Sequence, residues 1–226
     1  FICPDLECDF NTEGIYEYVV EGRSFTVEVV DPTQDYVQLM KEIFDFAQIK
    51  EMIRAKNFKL LINSLHGATG PYVERIFLEE LGCDPSSCIK TNVLPDFGGG
   101  HPDPNLTYAA DLVEEMAKGV HGFGAAFDGD GDRNMILGQN TFFVTPQSCG
   151  PQQGHQEEGP RMFCEEIFVT GSDHMREKDR VWAALAWLQI LAVRGLSVEL
   201  WKEHWVEFGR NFFTRYKYEC KESQLV

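Results

Sequence analysis

Strand-like and helix-like stretches alternate from Phe25 to Leu137 in this 226-residue chain. That alternation predicts an α/β fold, a mixed and mostly parallel sheet layered with helices. A second observation points the same way. The apolar run Phe123–Phe127 leads straight into the glycine-spaced acidic segment Asp128-Gly129-Asp130-Gly131-Asp132. Open α/β sheets bind ligands beyond the carboxyl ends of their strands, so a strand running into a polar loop suits a functional site.

The elements follow in order. Phe25–Val30 alternates and is rich in β-branched residues, which predicts a strand. Asp31-Pro32-Thr33 then opens a helix, with proline near the first turn and Tyr36, Val37, Leu39, Met40, Ile43 and Phe44 at helical spacing. Phe58–Asn63 is the next strand and His66–Pro71 a loop. A helix over Tyr72–Leu81 is ended by Gly82. Thr107–Met116 predicts another helix, Gly122–Phe127 a strand, and Met135–Leu137 a further strand. Ser148–Pro160 is rich in Gly, Pro and Gln with little to bury, which predicts a disordered linker. Beyond it, Ser172-Asp173 can cap a helix from about Glu177 to Val193, with Gly195 past its end. A last helix is expected over Ser197–Phe208.

Composition excludes several function classes. With 43% hydrophobic and 12% aromatic residues, there is material for a core. A net charge of −16 argues against general nucleic-acid binding and against anionic membrane surfaces. Seven cysteines show no zinc-like spacing, which points to free thiols in a reducing compartment. No basic, apolar leader opens the chain, and Val181–Val193 is too short to cross a bilayer. A cytoplasmic protein is the expectation.

The acidic loop carries the strongest chemical signal. Asp128, Asp130 and Asp132 alternate with glycines, which let the backbone turn tightly enough for the carboxylates to converge. Crowded carboxylates suit a hard divalent cation with oxygen ligands. A calcium loop does not fit: its sixth position needs Gly and holds Arg133, and its twelfth needs Glu and holds Gln139. Arg133 sets a permanent planar cation beside the carboxylates, suited to a phosphate or to a salt bridge with those same aspartates.

Four blocks in order then resemble one family, the phosphohexomutases and among them the α-phosphoglucomutases. They are Asp96–Ala110 (DFGGGHPDPNLTYAA), Phe123–Gly138 (FGAAFDGDGDRNMILG), Thr170–Asp179 (TGSDHMREKD) with Trp182, and Phe208–Tyr216 (FGRNFFTRY). The resemblance implies interconversion of glucose 1-phosphate and glucose 6-phosphate through a phosphoserine. It implies Mg²⁺ on Asp128, Asp130 and Asp132, glucose 1,6-bisphosphate as activator, and hexose phosphate contacts from Arg133, Glu165 and Lys178. The last two also have ordinary structural or solvated readings. His66, His101 and His174 lie in family-like loops, and no catalytic role is assigned to them.

The chain also departs from the family pattern. No Thr-Ala-Ser-His-Asn-Pro type phosphoserine loop occurs among these residues. Around Glu165-Glu166, Cys164, Ile167 and Val169 replace the Gly, Ser and Gly of the family's sugar loop. The expected organisation is therefore a second-domain-like α/β domain over 1–146, a linker over 147–163, and a partial third-domain-like helical segment over 164–226. Such a chain is expected to be inactive alone. One alternative is a non-catalytic relative that binds cytoskeletal or other proteins, although that branch departs from the Asp-Gly-Asp-Gly-Asp loop kept here. Another is a splice product without a stable fold.

Overall fold

The computed structural model describes residues 8–10, 12–55, 58–141, 178–195 and 206. The chain opens with a hairpin, β1 (Gly14–Val20) antiparallel to β2 (Arg23–Val29). Its two-residue turn has φ 51° at Glu21 and 75° at Gly22. Positive φ at both positions matches the twist of a tight hairpin, and Gly22 adopts it without steric cost. The strand expected over Phe25–Val30 is thus present, but in a separate two-stranded sheet rather than in the layered one.

Helix α1 (Gln34–Ile43) starts where the Asp31-Pro32-Thr33 signal placed it. The Asp31 carboxylate accepts from the Thr33 backbone N–H at 2.8 Å and its hydroxyl at 2.7 Å, fixing the entry turn. Helix α2 (Phe46–Ala55) follows after a short break. Strand β3 (Leu60–Asn63) leads through a loop over residues 64–69 into α3 (Gly70–Val73), so Gly70 and Pro71, expected in the loop, open the helix instead; α3 widens into a π-helical stretch over Glu74–Glu80. The remaining elements are β4 (Cys88–Ile89), α4 (Ala110–Ala117), β5 (Phe123–Phe127), β6 (Asn134–Gly138) and α5 (Arg180–Arg194).

The four-stranded sheet runs in the order β4-β3-β5-β6. Strand β3 pairs in parallel with β4 and β5, while β6 returns antiparallel to β5, with Phe127 opposite Asn134. Every residue of β3, β5 and β6 is buried, as expected for a sheet covered on both faces. Successive side chains enter opposite layers. Leu60, Ile62, Phe123, Ala125, Phe127 and Ile136 face the layer formed by α1, α2, α3 and α5. Leu61, Ala126, Met135 and Leu137 face Leu112 and Met116 of α4. The mixed, mostly parallel sheet layered with helices is therefore the fold observed.

Helix α5 is buried from Arg180 through Leu188. It places Trp182 and Trp187 in the same core as α1 and α2, and the Trp182 ring lies 5.4 Å from that of Phe44. Its cap differs from the sequence reading. The Asp179 carboxylate accepts the Trp182 backbone N–H at 3.0 Å, and α5 begins at Arg180. Ser172 and Asp173, the expected cap, lie outside the described residues, as do the linker and, Val206 excepted, the helix expected over Ser197–Phe208.

Candidate functional site

Strands β3 and β5 are parallel, so their carboxyl ends open on the same side, and the loops leaving them build one site. The loop after β3 passes beneath the acidic loop after β5. The Ala68 backbone N–H donates to the Gly129 carbonyl at 2.9 Å. A Cβ on Gly67 would lie 2.8 Å from the carbonyl oxygens of both Asp128 and Gly129. Only glycine allows that approach. Gly67→Ala is therefore expected to lower stability by about 1–3 kcal/mol through overpacking, read by urea denaturation. An unchanged midpoint would show that the two loops separate freely.

The acidic loop closes on itself. The Asp128 backbone N–H donates to the Arg133 carbonyl at 3.2 Å. In return the Arg133 backbone N–H donates to Asp128 Oδ1 and its Nε to Oδ2, both at 2.8 Å. Gly131 holds φ 80° between Asp130 and Asp132, and a Cβ there would come within 2.6 Å of Thr69 Cγ2. With the backbone turned this way, Asp128, Asp130 and Asp132 each offer a carboxylate oxygen within 4.8 Å of the others. Asp128 is buried, Asp132 half-buried and Asp130 exposed, so the cluster faces out of the sheet end.

The electrostatics follow from that depth. Burial pushes the Asp128 carboxyl up to about 6; hydrogen bonds from Arg133 oppose the rise, and the Asp132 hydrogen bond and the Asp130 charge reinforce it. For Asp132, burial also acts upward, but the hydrogen bond from Lys178 Nζ and the neighbouring cations outweigh it and hold the carboxyl below its ordinary value. An oxygen-only donor set containing one buried carboxylate fits Mg²⁺ or Mn²⁺, and such an ion must displace the Asp128 proton at low pH. Metal affinity is expected to be level above about pH 7 and to fall about tenfold per pH unit below about 6, as titration at fixed ionic strength would show. The sign is reversed for the stability of the metal-free chain. A carboxyl whose folded value lies above its unfolded one binds more protons when folded, so its contribution to stability diminishes as pH rises through about 6.

Two of the three residues expected to touch substrate are visible around this cluster. Arg133 pairs with Asp128, with Asp103 at 3.1 Å and with Asp132 at 3.5 Å, which is the salt-bridge use open to it from the sequence. Its side chain nonetheless remains 35% exposed. Lys178 pairs with Asp132 and lines a cleft of about 270 Å³ with Thr69, Tyr36, Tyr72, Asp130 and Val181. Tyr36 donates to Asp179 at 2.9 Å across that cleft. Glu165 lies outside the described residues. Sequence reasoning did not single out Asp103, Asp179 or Arg180. Asp103 stands within the block Asp96–Ala110 and Asp179 closes the block Thr170–Asp179, neither with a role attached to it by the resemblance; Arg180 follows directly after the second block.

Comparison with known proteins gives the lineage. The family model "Phosphoglucomutase/phosphomannomutase, alpha/beta/alpha domain II" matches residues 34–141. Phosphoglucomutase-1 of Macaca fascicularis is 44% identical over 99% of this chain and 50% of its own length. The human phosphoglucomutase-like protein 5 is 42% identical over 96% of this chain and 48% of its own length. Both alignments run longer than the 226 residues available, at 278 and 273 positions, so these relatives carry residues inside the matched span that this chain lacks. Among solved structures, the Paramecium phosphoglucomutase parafusin in its open form matches with a TM-score of 0.77 and 37% identity, covering 91% of this chain and 48% of that one. The chain spans about half the length of the curated relatives it matches. On these grounds, and with the domain II segment carrying the acidic loop, the chain belongs to the phosphoglucomutase/phosphomannomutase family.

Proposed function

We propose that the chain carries the metal-binding module of a phosphoglucomutase-type phosphotransferase, which interconverts glucose 1-phosphate and glucose 6-phosphate. The observation that supports it is the convergence of Asp128, Asp130 and Asp132 within 4.8 Å at the end of β5, in a chain of this family. Bound there, Mg²⁺ would neutralise charge on a transferring phosphoryl group. The protein's own residues do the rest. Arg133 fixes the orientation of the Asp128 carboxylate through two hydrogen bonds and keeps part of its guanidinium open to a phosphate. Lys178 lines the cleft with its ammonium group paired to Asp132, and it is proposed as a contact for the sugar phosphate. Glu165 is proposed as an acceptor for sugar hydroxyls, and glucose 1,6-bisphosphate as the activator.

Phosphoserine chemistry needs a covalent carrier, and the Thr-Ala-Ser-His-Asn-Pro type loop is not among these 226 residues. Turnover therefore requires a carrier from outside them, and this polypeptide alone is expected to bind rather than to convert. The half-buried thiols of Cys83 and Cys88, both unpaired, suit a reducing, cytoplasmic setting, and no described helix is long and apolar enough to cross a membrane. The clustered triad favours the enzymatic reading over a purely scaffolding one.

Calorimetry with glucose 1-phosphate tests the proposal. Weak binding, on the order of millimolar, is expected only when Mg²⁺ is present, because the cationic partners are few and already paired with carboxylates. It should vanish in Arg133→Ala. Binding of equal strength without Mg²⁺, or none with it, would overturn the reading.

A further inference from the structure

We propose that Arg180 is a positioning residue for the acidic loop: its contacts to two consecutive carbonyls set the direction of the Asp132 carboxylate. The proposal rests on the reading of Asp128, Asp130 and Asp132 as a metal site, but not on any activity. Arg180 is only 3% exposed. A buried guanidinium is costly unless its donors are engaged. Its backbone N–H donates to the Gly131 carbonyl at 3.2 Å, and its Nε donates to the Asp132 carbonyl at 2.8 Å.

Those two carbonyls belong to the peptide units on either side of Asp132 Cα. Fixing both planes fixes φ and ψ at Asp132, and so the direction in which its side chain leaves the backbone. Arg133 does the corresponding work for Asp128 from inside the loop. Asp132 is instead held from outside, by the first residue of α5. That helix lies beyond the matched segment 34–141, yet fills the same core as α1 and α2. The loop geometry is therefore tied to the docking of α5. Lys178, two residues earlier, pairs with the Asp132 carboxylate itself, so the same short segment grips both the backbone and the side chain of this residue.

Two neutral variants separate the hydrogen bond from the charge. Arg180→Gln puts an amide N–H where Nε stood; Arg180→Met puts a methyl group there. Mn²⁺ titration should find Arg180→Gln within about threefold of the parent chain and Arg180→Met about tenfold weaker than Arg180→Gln, the size of one lost buried hydrogen bond. In the metal-free proteins, amide hydrogen exchange at Asp132 and Arg133 should be about tenfold faster in Arg180→Met than in Arg180→Gln. Leu191→Val, at the far end of α5, serves as a variant that lowers the melting temperature without touching the loop. Its Mn²⁺ affinity should stay within about twofold of the parent, since distant independent sites do not couple. Equal affinity and equal exchange in the Gln and Met variants would overturn the proposal, as would weakening by Leu191→Val as great as that by Arg180→Met. If no variant and no parent chain bound Mn²⁺, the metal reading would fall, and the exchange comparison would still decide the positioning role.

Discussion

Trp182→Ala is expected to cost about 3–5 kcal/mol, a large share of the roughly 5–15 kcal/mol that holds a typical domain folded. Trp182 is 1% exposed and packs against Phe44, which carries the end of α1. Its removal would open a cavity between α5 and the sheet layer rather than at a surface. Trp182→Phe is expected to be far milder. Among the described residues the indole Nε1 has no hydrogen-bond partner, so replacing it with an apolar ring removes a buried unsatisfied donor along with some contact area. Urea denaturation of the two variants decides the point. A loss below about 1 kcal/mol for Trp182→Ala would mean that α5 is not part of the folded unit, and the link between α5 and the acidic loop would go with it.

Asp128→Asn is expected to produce the largest change in metal binding. The substitution keeps the shape of the side chain but removes the buried charge, and it turns one acceptor into a donor that faces the Arg133 Nε–H or backbone N–H. Two consequences follow. The divalent ion loses the deepest of its three carboxylates, so affinity should fall by well over tenfold. Arg133 loses the carboxylate that orients it and, among the described residues, keeps Asp103 and Asp132, so the loop should also exchange its amides faster. The metal-free stability should lose its dependence on pH near 6, because the group whose folded value is raised is gone. Persistence of that dependence would assign it to another residue.

Much of the fold was legible because periodicity is a local signal. Phe58–Asn63, Gly122–Phe127 and Met135–Leu137 became β3, β5 and β6 within two residues at each end, since parallel and buried strands read as short apolar runs. Helix α2 went unassigned, although Asp45 accepts the Gln48 N–H at 2.9 Å and Phe46, Ile49, Met52 and Ile53 recur at helical spacing. The break at Phe44 and Asp45 masked the restart. Strand β4 has two residues, too few for any pattern. Phe25–Val30 is the strand its alternation predicts, but its place in a separate two-stranded sheet is not legible there, because pairing with β1 depends on the Glu21-Gly22 turn and not on the strand itself.

The site divides in the same way. Asp128, Asp130 and Asp132 were legible because glycine spacing makes their convergence a local matter. The pairing of Lys178 with Asp132 and of Arg133 with Asp103 was not, because each joins residues far apart in sequence and depends on how α5 and the Asp96–Ala110 segment lie over the loop. Arg180 carries no signal at all in one dimension: an arginine at the head of an apolar helix ordinarily faces solvent, and only the packing of α5 buries it.

Calorimetric titration of Mn²⁺ into the chain and into its Asp130→Ala variant tests the central claim most directly. The exposed Asp130 completes the cluster, and among the described residues its side chain makes no hydrogen bond that holds the loop, so the fold should survive the substitution. One Mn²⁺ per chain is predicted for the parent, with modest affinity because the phosphate oxygen that would complete the coordination is missing, and at least tenfold weaker binding for Asp130→Ala. Equal binding by the two proteins, or none by either, would contradict it.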